Sequence, residues 1–150
     1  QAARFARRVD RRRVLAGRIE QQVEARLEAM GYRVSKTGNN ARWDLWCEGV
    51  RLEVKAAHWH GRYQANLRGN DADLLILACV STCTASASAG GRVSFFVIPW
   101  HQVAGLAHVA IWSEEPAATM GRWARWYEAW ELVPELVANP PAGPWQLPLF

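Results

Sequence analysis

The hydrophobic positions of this chain change period along its length, from a helical spacing near the start to an extended spacing further on. From about residue 12 to Gly31, apolar residues recur every three or four positions, which predicts an amphipathic α-helix that ends on a C′ glycine. The stripe consists of Leu15, Ile19, Val23, Leu27 and Met30. Residues 32–36, 43–47 and 50–57 are short runs rich in Trp, Leu and Val, and they predict strands.

Two longer apolar runs, at residues 74–80 and 92–99, predict strands that are buried on both faces. Shorter elements are predicted around them: an extended piece at residues 63–67, a short helix at 100–106 and an edge strand at 108–112. A Trp-rich stripe at residues 121–138 predicts a helix that kinks or stops near Val133, before Pro134. This order of elements predicts an α/β fold with a mixed central β-sheet flanked by helices.

The segment from residue 43 to residue 57 predicts a β-hairpin whose turn is Glu48-Gly49. Counting back from a two-residue turn sets Asp44 directly opposite Glu53, with the two carboxylates roughly 5 Å apart. Lys55 falls on the same face as Glu53 because side chains alternate along a strand. Like charges directly opposite each other are destabilising unless a cation lies between them. The pattern therefore indicates half of a divalent-metal site.

Composition narrows the class of protein. At 150 residues, half of them hydrophobic, the chain is long enough for one domain with a substantial core. The formal net charge of +4 suits a polyanionic partner without requiring one. The three cysteines, Cys47, Cys79 and Cys83, lack zinc-ligand spacing and are typical of reduced thiols. With no apolar run of membrane-spanning length and no signal peptide, we expect a cytoplasmic, nucleoid-associated protein with no membrane partner.

Asp44 followed by Glu53-Val54-Lys55 resembles the Asp…Glu-x-Lys signature of the restriction-endonuclease-like PD-(D/E)XK nuclease superfamily. Such nucleases usually also carry a Glu on a helix before the first strand, and Glu20 occupies that place. The order of helix, strand, hairpin and Glu-x-Lys is similar to that of Holliday-junction-resolvase-like members, over about residues 17–57. The resemblance implies a restriction-endonuclease-like core.

The resemblance also implies a Mg²⁺ site, which Mn²⁺ is able to fill, held by the carboxylates of Glu20, Asp44 and Glu53. The backbone carbonyl of Val54 is a further expected ligand. Lys55 is expected to position or activate the attacking water and to offset charge on the phosphate. Glu20 adjoins the apolar stripe of its helix and is read as a third oxygen donor, the alternative being a solvated surface glutamate.

Polar residues beyond the signature are candidates for DNA contact. In several branches of the superfamily a Gln just downstream contributes to the site, which makes Gln64 a candidate; the alternative is a polar residue at a strand edge. Arg62 and Arg68 flank it and are expected to touch phosphates, and His58 and His60 are read as loop residues near the DNA. An arginine-rich N-terminal stretch either contacts phosphates or forms a solvated helix face, and includes Arg11, Arg12 and Arg13.

The chain divides into a predicted nuclease domain at residues 1–138 and a Pro-rich linker with a terminal peptide at residues 139–150. The peptide is similar to the motif by which bacterial proteins bind the replication sliding clamp. Its expected contacts are Gln146, Leu147, Leu149 and Phe150. The alternative is a tail packed on its own domain or on a second copy.

These observations favour a Mg²⁺-dependent DNA endonuclease of replication, recombination and repair intermediates, structure-selective, resolvase-like and recruited by the sliding clamp. Resolvases of this type act as symmetric dimers, and the Trp-rich stripe is the expected interface. The segment after Ala57 is more strand-like than the helix such resolvases often carry, which leaves a site-specific or nicking duplex endonuclease open. A non-catalytic DNA-binding adaptor and an RNA nuclease also stay open.

Overall fold

In the described residues, one long N-terminal helix is followed by a series of strands, and short helical pieces come only from Trp100 onward. A computed structural model describes residues 2–37, 44–67, 71–81 and 92–140, with only the backbone described for residues 2–13. The helices are α1 (Ala2–Ala29) and α2 (Leu132–Ala138). The strands are β1 (Val34–Lys36), β2 (Leu45–Cys47), β3 (Val50–His58), β4 (Tyr63–Asn66), β5 (Leu74–Ser81), β6 (Arg92–Pro99) and β7 (His108–Ile111). None of the described helices is long and apolar enough to cross a membrane.

Five strands form one mixed sheet in the order β1-β2-β3-β5-β6. Its central pair, β3 and β5, is parallel, while the other neighbouring pairs are antiparallel. The strands β4 and β7 pair antiparallel in a separate two-stranded sheet. The predicted fold class, a mixed central sheet with helices beside it, is confirmed.

The hairpin between β2 and β3 has the predicted turn and register. Glu48 and Gly49 both have positive φ, at 44° and 94°, as a two-residue turn with the twist of the flanking strands requires. Cys47 pairs with Val50 and Leu45 with Leu52. This register determines which residues of β3 lie beside β2 and beside the residue that precedes it.

The core lies between α1 and the sheet and continues through it. All eight residues of β5 are buried, as the continuous apolar run predicts. Ile19, Val23 and Leu27 bury the predicted stripe of α1. The helix ends as expected, since Gly31 has φ 96° and the Tyr32 N–H donates to the Leu27 carbonyl at 3.1 Å. Packing of this stripe holds α1 against the sheet. The polar residues that adjoin the stripe lie at the border of this contact.

The prediction of one helix over residues 121–138 is wrong. Only Leu132–Ala138 is α-helical, preceded by a 3₁₀ turn at Ala124–Trp126. Glu128 has φ 48°, its N–H donates to the Phe95 carbonyl at 2.8 Å, and its carboxylate accepts from the Phe95 N–H at 3.0 Å. These bonds tie the chain to the edge of β6 and break the helical path. Pro134 lies in the first turn of α2, where a missing N–H costs little, so the helix begins there instead of ending.

One further expectation is corrected. The predicted helix at residues 100–106 is only a 3₁₀ turn, Trp100–Gln102, followed by Gly105 at φ 84°.

The Trp-rich stripe is partly buried within its own chain, at Trp126 and Trp130, and its role as a dimer interface stays a prediction. Trp130 packs edge-on against Phe95 with ring centroids 5.4 Å apart. The tryptophans therefore close the core on the β6 side.

Candidate active site

The centre of the site is a pair of carboxylates held by the β2–β3 hairpin. Asp44 immediately precedes β2, and its N–H donates to the carbonyl of Leu52, the residue that pairs with Leu45, at 2.9 Å. The side chain of Asp44 meets that of Glu53 through a hydrogen bond, so the structure brings together the two acids that the sequence predicts to be opposed. The Oδ2 atom of Asp44 accepts a hydrogen bond from the Val54 N–H at 2.8 Å, which holds the carboxylate beside β3.

Lys55 completes the central group. Its Nζ lies 3.5 Å from Glu53 Oε1, and its side chain is 31% exposed whereas that of Glu53 is 5% exposed. The ammonium group thus reaches from the buried acid toward solvent. Glu53 and Lys55 share one face of β3, in agreement with the alternation of a strand.

Glu53 is buried beside Asp44, and both features oppose its charged form when no cation is present. Burial, followed by the negative charge of Asp44, raises the pKa of Glu53 to about 8, and Lys55 only partly opposes that rise. A hydrogen bond between the side chains of Glu53 and Asp44 adds to the rise. At neutral pH and without a metal ion, Glu53 therefore holds a proton.

Glu20 approaches this pair from α1. Burial raises the pKa of Glu20, the charge of Asp44 adds to the rise, and Lys36 opposes it. The helix face that buries Ile19 thus directs Glu20 into the same groove as the hairpin acids. Among the described residues, however, no three His, Cys, Asp or Glu side chains are arranged closely enough to hold a metal ion. Asp44 and Glu53 are the central pair, and Glu20 borders it.

The donor set suits a hard divalent cation. Mg²⁺ is usually held by one or two carboxylates, with water and substrate phosphate completing its shell, and it needs no protein cage. Asp44 and Glu53 supply two such groups, and a 2+ charge would offset their repulsion. Since the N–H of Val54 points to Asp44, and the N–H and C=O of one strand residue point the same way, the Val54 carbonyl faces this side too. The residues present therefore fit Mg²⁺.

A groove of about 800 Å³ runs from the acids to the outer side of β4. Besides the central pair and Glu20, its lining includes His58, His60, Arg62, Gln64 and Asn66. Gln64 is not hydrogen-bonded to the acids in this arrangement. Its Oε1 accepts from Arg62 Nε at 2.5 Å, and its Nε2 donates to Asn66 Oδ1 at 3.4 Å. Both histidines and Arg62 line this groove, and their contact with DNA stays a prediction. The expectation that His58 lies in a loop is wrong, because it is the last residue of β3.

Several predicted contacts cannot be placed. Arg11, Arg12 and Arg13 lie on α1, in the part where only the backbone is described. Arg68 lies outside the described residues, as do the tail residues Gln146, Leu147, Leu149 and Phe150.

A buried ion pair between Arg51 and Asp73 lies beside the site. Arg51 donates to Asp73 from its backbone N–H at 2.8 Å and from its guanidinium at 2.7 and 3.1 Å. Asp73 thus orients Arg51, and this contact was not predictable from the sequence because the two residues lie 22 positions apart. The bonds join the starts of β3 and β5 two residues before Glu53. These bonds therefore fix the position of Glu53 along the sheet.

The fold is shared with a nuclease whose structure is known. No family model matches the chain, and no curated protein matches it. A bacterial homing endonuclease of known structure, I-Ssp6803I, shares the fold with a TM-score of 0.61 and 20% sequence identity, over 84% of this chain and 94% of that one. At this identity the similarity establishes the common fold.

Proposed function

We propose that the protein is a metal-dependent DNA endonuclease that hydrolyses a phosphodiester bond in the groove beside β3. The observation that carries this proposal is the pairing of Asp44 with the buried Glu53, with the Lys55 ammonium 3.5 Å from Glu53. A hairpin with only a structural role gains nothing from two adjacent acids, one of them buried, because their repulsion opposes folding.

Mg²⁺, or Mn²⁺ in its place, would be held by Asp44, Glu53 and the Val54 carbonyl, with Glu20 at the border of the site. When bound, the ion supplies Lewis-acid polarisation of the phosphate and lowers the pKa of a water molecule. The chain's own groups orient the substrate. Lys55 offers N–H donors to the phosphate and to the attacking water and offsets negative charge that develops at phosphorus.

The remaining groups position DNA beside this centre. Arg62 lies at the far side of the groove, and its guanidinium suits a phosphate or a base edge. Asp44 keeps its orientation because the Val54 N–H holds it. These groups are in place before substrate arrives, and such preorganisation lowers the barrier for the chemical step.

The substrate class has two candidates. A structure-selective, resolvase-like enzyme of recombination and repair intermediates, recruited by the sliding clamp and acting as a dimer, is our broader proposal. A site-specific duplex endonuclease is favoured by one observation: the segment after Ala57 is the strand β4 and not a helix. A solved structure that shares this fold is that of a homing endonuclease, which supports the same candidate.

The test is a cleavage assay on labelled duplex, forks, flaps and four-way junctions, with Mg²⁺, Mn²⁺ or EDTA. We expect metal-dependent cutting by the wild type and by Glu28→Ala, a control at an exposed glutamate of α1. Glu53→Ala should not cut. The preferred substrate then selects between the two candidates. Binding without cutting under every metal condition would identify a DNA-binding adaptor and contradict the proposal.

A further inference from the structure

We propose that the outer face of the β4–β7 sheet reads base edges in the major groove of DNA and gives the protein a sequence preference. We call this surface the ribbon face, defined by Arg62, Gln64, Asn66, His108, Ala110 and Trp112. The inference rests on the proposed function in that both place DNA in the same groove.

The ribbon has one apolar and one polar face. Tyr63 and Ala65 of β4 and Val109 and Ile111 of β7 are buried in the core. Since successive side chains point to opposite sides of a strand, the alternate positions face outward. The register pairs Gln64 with Ala110 and Asn66 with His108. One step further out, the guanidinium of Arg62 lies over the Trp112 ring at 5.3 Å.

The outward side chains are those that recognise bases. Arg pairs with two acceptors of guanine, Asn and Gln pair with adenine through one donor and one acceptor, and small apolar groups contact the thymine methyl. Gln64 and Asn66 stand two residues apart on one strand, with the small Ala110 beside Gln64. Among the six positions of the ribbon face there is no acidic residue to repel DNA.

The dimensions and rigidity of the ribbon suit the major groove. Four paired residues at roughly 3.3 Å each make a ribbon about 13 Å long, and a major groove about 12 Å wide admits a two-stranded ribbon. The inner face holds the ribbon in place, since the Tyr63 hydroxyl donates to the Glu114 carbonyl at 2.8 Å and its ring lies 5.1 Å from that of Trp59. The outward groups are thus presented on a fixed scaffold.

The ribbon face is continuous with the catalytic groove. Arg62, Gln64 and Asn66 line the same groove as Asp44 and Glu53. A duplex that places a phosphate at the acids therefore presents nearby base edges to β4. This arrangement assigns Gln64 to base recognition, although the superfamily resemblance suggests a part for it in catalysis.

The experiment is selection of sites by binding from a pool of randomised DNA duplexes in EDTA, followed by sequencing. We expect the wild type to enrich a motif, and Gln64→Ala and Asn66→Ala each to lose roughly tenfold preference at one base pair. Gln22→Ala, at an exposed glutamine of α1 outside the groove lining, is the matched control and should keep the wild-type motif. Gln64→Arg should change the preferred base at its position to guanine.

The outcomes separate this inference from the proposed function, because selection by binding requires no cleavage. A motif that changes as stated in a protein that never cuts DNA would support the ribbon face and overturn the nuclease. Metal-dependent cutting with no wild-type motif, or with a motif that both alanine variants preserve, would overturn the ribbon face alone. A protein that binds no DNA in EDTA and cuts none with Mg²⁺ or Mn²⁺ would overturn both.

Discussion

At the scale of single residues, folding changes the protonation of Glu53. Its pKa of about 8 arises from burial and from Asp44, and both effects oppose its charged form. The folded protein therefore binds a proton at Glu53 between the ordinary value of 4.5 and about 8, where the unfolded chain does not. Without metal, this residue stabilises the fold below pH 4.5 and loses that contribution as the pH rises to about 8.

We therefore predict that the free energy of unfolding in EDTA falls by at least about 1 kcal/mol between pH 5 and pH 8. Glu53→Gln carries no titratable group and should remove most of this slope. Urea denaturation at several pH values measures it. Equal slopes in both proteins would show that Glu53 is not the buried acid described.

Lys55 offers a second prediction at this scale. We expect Lys55→Ala to reduce the single-turnover cleavage rate by roughly 100-fold or more, since an ammonium beside the phosphate is lost. Lys55→Arg keeps the charge and should retain more activity than Lys55→Ala. Circular dichroism and DNA binding check that the fold and substrate affinity persist. Cleavage by Lys55→Ala at the wild-type rate would remove Lys55 from the site.

At the scale of elements, the parallel pair β3–β5 decides where the acids stand. Arg51 and Asp73 join these strands at their starts, and both side chains are only 6% exposed. Asp71 lies 3.9 Å from the same guanidinium and compensates part of its charge. The ion pair between Arg51 and Asp73 is therefore more important for the register of β3 and β5 than for net stability.

We predict that Asp73→Asn destabilises the protein by about 3 kcal/mol, because it leaves a buried guanidinium only partly compensated. Asp71→Asn should have a much smaller effect, as its contact is longer and its side chain more exposed. Chemical denaturation measures both. A loss below about 1 kcal/mol for Asp73→Asn would mean that the ion pair between Arg51 and Asp73 contributes little to the free energy of unfolding.

The elements also show what the sequence alone can predict. The opposition of Asp44 and Glu53 was predictable because both lie in one hairpin, whose register follows from a two-residue turn. The pairing of β4 with β7 was not, since Gln64 and Ala110 are far apart in the chain and no local signal joins them. The path of residues 121–131 was missed for the same reason, because Phe95 holds Glu128 from 33 positions away.

At the scale of the whole molecule, the order of elements was sufficient for the fold class, and the fold places three separate segments around one groove. Glu20 comes from α1, the central pair from the hairpin, and Gln64 from the ribbon. The predicted division into residues 1–138 and 139–150 stays a prediction, although α2 ends at Ala138.

The terminal peptide remains our proposed contact with a bacterial sliding clamp. Removal of residues 146–150 should abolish binding to the clamp while cleavage of short oligonucleotides continues at the wild-type rate. Leu149→Ala and Phe150→Ala should each weaken binding, because these side chains are expected to fill an apolar pocket. Fluorescence polarisation with a labelled peptide of residues 139–150 measures the affinity. Unchanged clamp binding by the truncated protein would contradict this assignment.

The most direct test of the account compares plasmid cleavage by the wild type and Asp44→Asn as Mg²⁺ is titrated. Asp44→Asn keeps the size of the side chain and an oxygen for the Val54 N–H, but removes the charge. We predict that the wild type cuts in proportion to Mg²⁺ occupancy, that EDTA stops it, and that the variant stays folded but does not cut. Cleavage that persists in EDTA, or in Asp44→Asn at the wild-type rate, would contradict a metal-dependent nuclease centred on this pair.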